Sequence, residues 1–189
     1  MSELAASPEE ELEDGCRAGT PDGDNLVLDY ARAEAAAFGA LAAAAGGRLL
    51  DDEDAGLHLR DMGVDTPFGN VALLTRPVAD ADTPALLGRL RSFYDDHPGG
   101  PFLVFSPWRT ADWSASGFVR VGHPPLMFRP AGAAPSPAQG LRVVPVADED
   151  TLADFERTLI EAYPTPEMQP WQRGSMFARG VLDSDWRFF

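Results

Sequence analysis

The chain has 189 residues and a formal charge of −15, from 30 acids against 15 bases, and every base is an arginine. So acidic a protein offers no basic surface for nucleic acid or for anionic membranes, and neither is expected as a partner. A single cysteine, Cys16, excludes an intrachain disulfide, and no apolar run approaches the length of a membrane span.

The opening Met1-Ser2-Glu3-Leu4 has neither a basic nor an apolar leader segment, so a cytoplasmic location is expected. Residues 1–25 hold eight acids and one base, with four glycines or prolines after Asp14. That composition cannot repay the entropy of ordering, and the segment reads as a disordered acidic head. Cys16 lies inside it and reads as an incidental thiol.

Leu28, Ala31, Ala35, Phe38, Leu41 and Ala45 recur at spacings of three and four. They predict a helix from about Asp29 to Ala45, closed by Gly46-Gly47. The run Asp51-Asp52-Glu53-Asp54 reads as a solvated loop; it lacks the alternate ligands and central glycine of a calcium loop. Leu57 and Leu59 alternate with His58 and Arg60, which predicts a half-buried strand. Turn residues follow from Asp65 to Asn70, then Val71–Thr75 reads as a strand buried on both faces.

Thr83-Pro84 predicts a helix start, with a capping hydroxyl and then proline in the first turn. Leu86, Leu87, Leu90, Phe93 and Tyr94 form its apolar face, and His97-Pro98-Gly99-Gly100 ends it. Phe102–Phe105, Phe118–Val121 and Leu126–Phe128 read as further strands, the last two separated by Pro124-Pro125. Residues 131–140 are a linker by composition. Beyond it, Leu141–Val146 predicts a strand. Asp148, Asp150 or Thr151 would cap a helix carrying Leu152, Phe155, Leu159, Ile160 and Tyr163, and a closing strand is expected to begin at Trp186. The fold class expected is α/β.

The order strand, helix, apolar-aromatic loop, strand after the linker resembles the opening of a GNAT-family N-acetyltransferase. Leu141-Arg142-Val143-Val144-Pro145-Val146, Asp150–Glu156 and Tyr163-Pro164 carry that resemblance. The first unit is similar to a diverged half of the same fold, through Val71–Thr75, the Thr83–His97 helix, Phe102–Phe105 and Gly117–Gly122. Together they resemble a tandem GNAT protein of an actinobacterium-like source over about residues 29–189. The implied architecture is a mixed sheet flanked by helices. Residues 26–130 would form a degenerate unit, 131–140 the linker and 141–189 the opening, incomplete part of a second unit.

The resemblance implies acetyl transfer from acetyl-CoA to a small-molecule or peptide amine. The family binds the coenzyme pyrophosphate with a Gln/Arg-x-x-Gly-x-Gly/Ala loop between a strand and a helix, where backbone amides face phosphate. In the second unit that loop is expected beyond Phe189. In the first unit the matching slot is Arg76-Pro77-Val78-Ala79-Asp80-Ala81. Arg76 and Ala81 fit, whereas Ala79 stands where a glycine belongs. Asp80 and Asp82 add negative charge where a pyrophosphate would sit. The expectation is therefore that this chain alone binds no acetyl-CoA and has no catalytic residues. Glu161, Tyr163 and Trp171 are the candidates for an acceptor pocket, by analogy with the family.

No metal site is expected, because His58, His97 and His123 lie in different elements without ligand spacing; surface or turn positions are expected for them. Ser106, Ser114 and Ser116 lie outside any Gly-x-Ser-x-Gly context, so a hydrolase triad has no support. A second functional expectation is a non-catalytic interaction or dimerisation module, in which the Trp186–Phe189 strand adds to another sheet, with a homo-oligomer or a sheet-completing partner.

Overall fold

The computed structural model describes residues 23–95, 101–122, 140, 142–163 and 165–189. Residues 1–22 of the head, His97, His123, Leu126–Phe128 and nearly all of the linker lie outside the described residues, so the expectations placed on them are not addressed by it; residues 23–25, expected within the disordered head, instead open a helix.

The described chain is α/β, as its patterning implied. A four-stranded mixed sheet has the order β1-β2-β3-β4, with β1 at Arg48–Asp52, β2 at Leu57–Asp61, β3 at Asn70–Leu74 and β4 at Leu103–Phe105. β1 to β3 form an antiparallel meander, and β4 joins β3 in parallel after a crossover through a helix. Three α-helices accompany it among the described residues: α1 at Gly23–Ala44, α2 at Thr83–Tyr94 and α3 at Glu149–Ala162.

α1 starts ahead of the predicted Asp29, because Leu26 and Val27 continue its half-buried face. Its end follows from the two glycines. Gly46 donates to the Ala43 carbonyl and Gly47 to that of Ala42, the paired bonds of a Schellman stop, with Gly46 at φ +69°. A methyl group on Gly47 would run into the Asp61 carbonyl oxygen, so the chain can enter β1 only through glycine here.

β1 is a correction to the sequence reading. Asp51 and Asp52 are strand residues rather than part of a solvated loop, because both carboxylates find partners: Asp51 meets His58 and Arg60, and Asp52 meets Arg89 and the Ala55 N–H. β2 is a second correction. It is buried at all five positions rather than on one face. Leu57 and Leu59 pack with Leu86, Leu87 and Leu90 of α2, whereas Arg60 donates to the Ala35 carbonyl of α1 on the other face. A helix on each side explains why the polar alternates are not solvated, and why His58 is no surface histidine.

α2 begins at Thr83 as expected, but the Thr83 hydroxyl does not cap it. Thr83 lies within the helix, and the capping position falls to Asp82, whose side chain makes no capping bond. Leu86, Leu87, Leu90 and Tyr94 are its buried face, and the Tyr94 ring stacks on Phe102 at 4.0 Å. Phe118–Val121, expected as a strand, is irregular, with Val119 84% exposed. Phe118 alone turns inward, against Phe102 and Trp113.

Of the three capping residues the sequence offered, α3 uses Asp148, closed into a box by Thr151. The Asp148 carboxylate accepts the Thr151 N–H at 2.8 Å, and the Thr151 hydroxyl accepts the Asp148 N–H at 3.1 Å. Residues 142–146 and 186–189, both expected as strands, are not strands. Proline at 145 lacks a donor, and the bond between the two segments is from the Val146 N–H to the Phe188 carbonyl, 3.0 Å. The terminal aromatics pack instead as a cluster: Trp186 stacks on Phe188, and Phe188 meets Phe155 and Phe177. This carboxyl-terminal part shares a core with α1, where Leu41 and Ala42 join Leu152, Ile160, Met168, Met176, Phe177 and Val181. Trp186 adds a bond from its indole N–H to the Ala37 carbonyl.

Candidate functional site

The segment in which a coenzyme slot was expected leaves β3 at Leu74 and enters α2 at Thr83. Three features define its chemistry. Arg76 lays its aliphatic stem over Gly56 and donates its Nη1 to the Asp54 carbonyl, so the guanidinium closes the β1–β2 turn. Asp80–Asp82 form a single 3-10 turn ahead of α2, with the Asp82 N–H bonded to the Ala79 carbonyl. Ala79, Asp80, Ala81 and Asp82 are all exposed. Amides can hold a phosphate only where no like charge competes, and here two carboxylates occupy the entry to the helix.

Under this slot lies a polar chain that links the three antiparallel strands. His58 Nδ1 is 2.6 Å from the Asp51 carboxylate, and His58 Nε2 is 3.1 Å from the Thr75 hydroxyl. Arg60 Nη2 reaches the same Asp51 oxygen at 2.5 Å. Burial opposes the charge on Asp51, yet the hydrogen bonds and charges of His58 and Arg60 outweigh it and hold its carboxyl below the usual range. An imidazole between a carboxylate and a hydroxyl has the connectivity of an activated nucleophile. The Thr75 hydroxyl, however, is buried, and Gly56 and the Arg76 stem close over it. The chain therefore acts as a staple across β1, β2 and β3. Sequence reasoning missed it because Asp51 and Thr75 flank His58 only once the strands are in register.

The three candidate acceptor residues are not brought into one pocket by any described contact. Glu161 is exposed on the last turn of α3. Tyr163, beyond that turn, is 56% exposed and meets Phe68 edge to face at 5.9 Å. Trp171 is turned to the core side of α3, where its indole N–H donates to Glu156 at 3.0 Å and Arg157 lies over its ring.

Glu156 is the functional-looking residue that sequence reasoning did not single out. It is 1% exposed, and its carboxylate accepts the N–H groups of Gly174, Met176 and Phe177 in addition to the Trp171 indole. All four donors come from one loop, so the carboxylate organises that loop rather than facing a ligand. The signal was present in the pattern: Glu156 stands four residues from both Leu152 and Ile160, on the buried stripe of α3.

One shallow groove of about 270 Å³ opens between the β1 edge and α2, lined by Arg48, Leu50, Leu59, Arg89, Ser92 and Phe93. Its two cations are compensated: Arg48 binds Asp61 at 2.7 Å and the Phe93 carbonyl, and Arg89 binds Asp52 at 2.7 Å. Among the described residues no group of His, Cys, Asp or Glu is placed to hold a metal ion, and no helix is long and apolar enough to cross a membrane.

Set against protein-family models, curated proteins and solved structures, the chain matches none of them.

Proposed function

We propose that this chain is the N-terminal portion of a GNAT-type N-acetyltransferase, with residues 26–130 as a scaffold unit that does not itself bind acetyl-CoA. The order of elements supports the reading: an antiparallel meander, then β3, the slot, α2 and a parallel β4. The observation that carries the non-catalytic part is the slot's chemistry. Arg76 is engaged by the Asp54 carbonyl, and Asp80 and Asp82 lie at the entry to α2. In a complete enzyme of this class a neutral amine attacks the acetyl thioester, a base takes its proton and backbone amides polarise the carbonyl. Glu161 and Tyr163, exposed at the end of α3, are the positions assigned to an amine acceptor in that setting.

Titration calorimetry of the folded chain with acetyl-CoA tests this reading. No heat is expected. Binding tighter than about 100 μM, roughly −5.5 kcal/mol, would overturn it.

A second reading, a non-catalytic self-association module, is favoured by one observation: β1 is an edge strand with Leu49 and Leu50 exposed. Pairing through residues 186–189 has no such support, because those residues are folded against α3 and are not a strand.

A further inference from the structure

The hydrogen-bond parity of the sheet determines which groups β1 presents to its open side. The Thr75 N–H donates to the Gly56 carbonyl, and the Met62 N–H to that of Gly69, both on the β2–β3 register. Residues that exchange such bonds alternate along an antiparallel strand. His58 and Arg60 therefore direct their backbone groups at β3, and Leu57, Leu59 and Asp61 direct theirs at β1. Their partners there are Asp52, Leu50 and Arg48. The N–H and C=O groups of Leu49 and Asp51 consequently turn to the open edge.

The side chains alternate in the same way. Arg48, Leu50 and Asp52 lie on the α2 side, where Arg48 meets the Phe93 carbonyl and Asp52 meets Arg89. Leu49 and Asp51 lie on the α1 side with Arg60. Leu50 is 36% exposed beside the groove floored by Leu59 and Phe93.

We propose that a second copy of this chain adds to the sheet at β1, antiparallel, about a two-fold axis through Leu50. This deepens the self-association reading and does not depend on any coenzyme. The register follows from three matches. The outward groups of Leu49 in one copy meet those of Asp51 in the other, so hydrogen bonds form on both sides of the axis. Leu50 faces Leu50 in a close, non-hydrogen-bonded pair, and together they close the grooves. Arg48 faces Asp52 of the other copy twice, so the edge is complementary to itself in charge. Centring the axis on Asp51 would instead oppose two carboxylates. The acids on this edge do not protect it as edge charges usually do, because Asp51 and Asp52 are already compensated by His58, Arg60 and Arg89. The two four-stranded sheets become one continuous sheet.

Light scattering on the full chain at about 100 μM, in about 0.2 M salt to screen the −15 charge of each copy, tests the proposal. The expected mass is twice that of one chain. Leu49→Pro removes an outward N–H without touching the β2 ladder and should return the mass to that of one chain, with circular dichroism unchanged. In a Cys16→Ser background, Leu50→Cys should form a disulfide-linked dimer on a non-reducing gel, whereas Thr158→Cys on α3 should not. If Leu49→Pro fails to fold, the cross-link decides alone. A single-chain mass for the unmodified protein would overturn the proposal. So would a dimer that does not cross-link through position 50, which would place the contact on another face.

Discussion

Arg60 and Asp51 meet at 2.5 Å although they are not opposite each other in the β1–β2 register, where Asp51 faces His58 and Arg60 faces Leu49. The guanidinium reaches diagonally across the pair because its planar fork also donates to the carbonyls of Ala35, Leu50 and Leu59. One buried cation thereby ties α1, β1 and β2 together at 4% exposure. Methionine could fill its volume but supplies none of those donors. Arg60→Met is expected to lower unfolding free energy by about 2–4 kcal/mol in urea titration, somewhat under the ~3–5 kcal/mol for breaking a fully buried pair because Asp51 keeps contact with solvent. Arg60→Lys should recover less than half of that, because an ammonium cannot reproduce the fork. An unchanged urea midpoint for Arg60→Met would remove this arginine from the account of the fold.

Glu156 gives the second prediction. Its carboxylate is the acceptor for Trp171, Gly174, Met176 and Phe177. Glu156→Gln turns one oxygen into a donor and sets it against N–H groups that also donate. The expected loss is about 2–4 kcal/mol, with faster hydrogen exchange confined first to residues 171–177. Exchange that rises evenly over the whole chain, with no local onset, would mean that the carboxylate does not organise this loop.

How far the sequence was legible follows from where the deciding partners lie. α2 and α3 were readable because their stripes and start signals are local: Thr83-Pro84 in one, Asp148 and Thr151 in the other. β3 and β4 were readable as apolar runs, and β2 as an alternating strand, although its burial on both faces was not. β1 was not, because its acids imitate a loop until His58 and Arg60 are placed beside them from another strand. The terminal aromatics misled in the opposite sense. Trp186 and Phe188 have strand propensity, but among the described residues no strand offers them a ladder, and the ring contacts with Phe155 and Phe177 decide their conformation. The segment from Arg76 to Ala81 lies between a strand and a helix, as its flanking patterns implied, yet the engagement of Arg76 by Asp54 depends on a turn 22 residues earlier and could not be read locally.

Glycines separate close approach from mere flexibility. Gly47 has the Asp61 carbonyl where a methyl group would go, whereas Gly88, inside α2, has open space at that position. Gly47→Ala is expected to cost more than about 1.5 kcal/mol, because the α1–β1 joint must shift. Gly88→Ala is expected to stabilise by about 0.5–1 kcal/mol through helix propensity. Thermal melts of the two variants should therefore move in opposite directions, and parallel shifts would contradict the packing at Gly47.

The final prediction concerns acid. The carboxyls of Asp51, Asp52 and Asp148 are all held below the usual range. For Asp51 the bonds and charges of His58 and Arg60 outweigh burial; for Asp52 the main cause is the Ala55 N–H, then Arg89; for Asp148 it is the Thr151 N–H. A group whose value is lower in the folded chain is protonated more readily when unfolded. Its stabilisation is thus complete above the unfolded value, about 3.9, and is lost as pH falls through the folded value. Stability from this source should be level between about pH 5 and 7 and fall below about pH 4. Asp148→Asn isolates one contribution, because asparagine caps a helix about as well as aspartate but does not titrate. Urea midpoints for this variant should match the unmodified protein near neutrality and decline less steeply below about pH 4. Identical slopes for the two proteins would show that the cap on α3 draws nothing from the ionised form of Asp148.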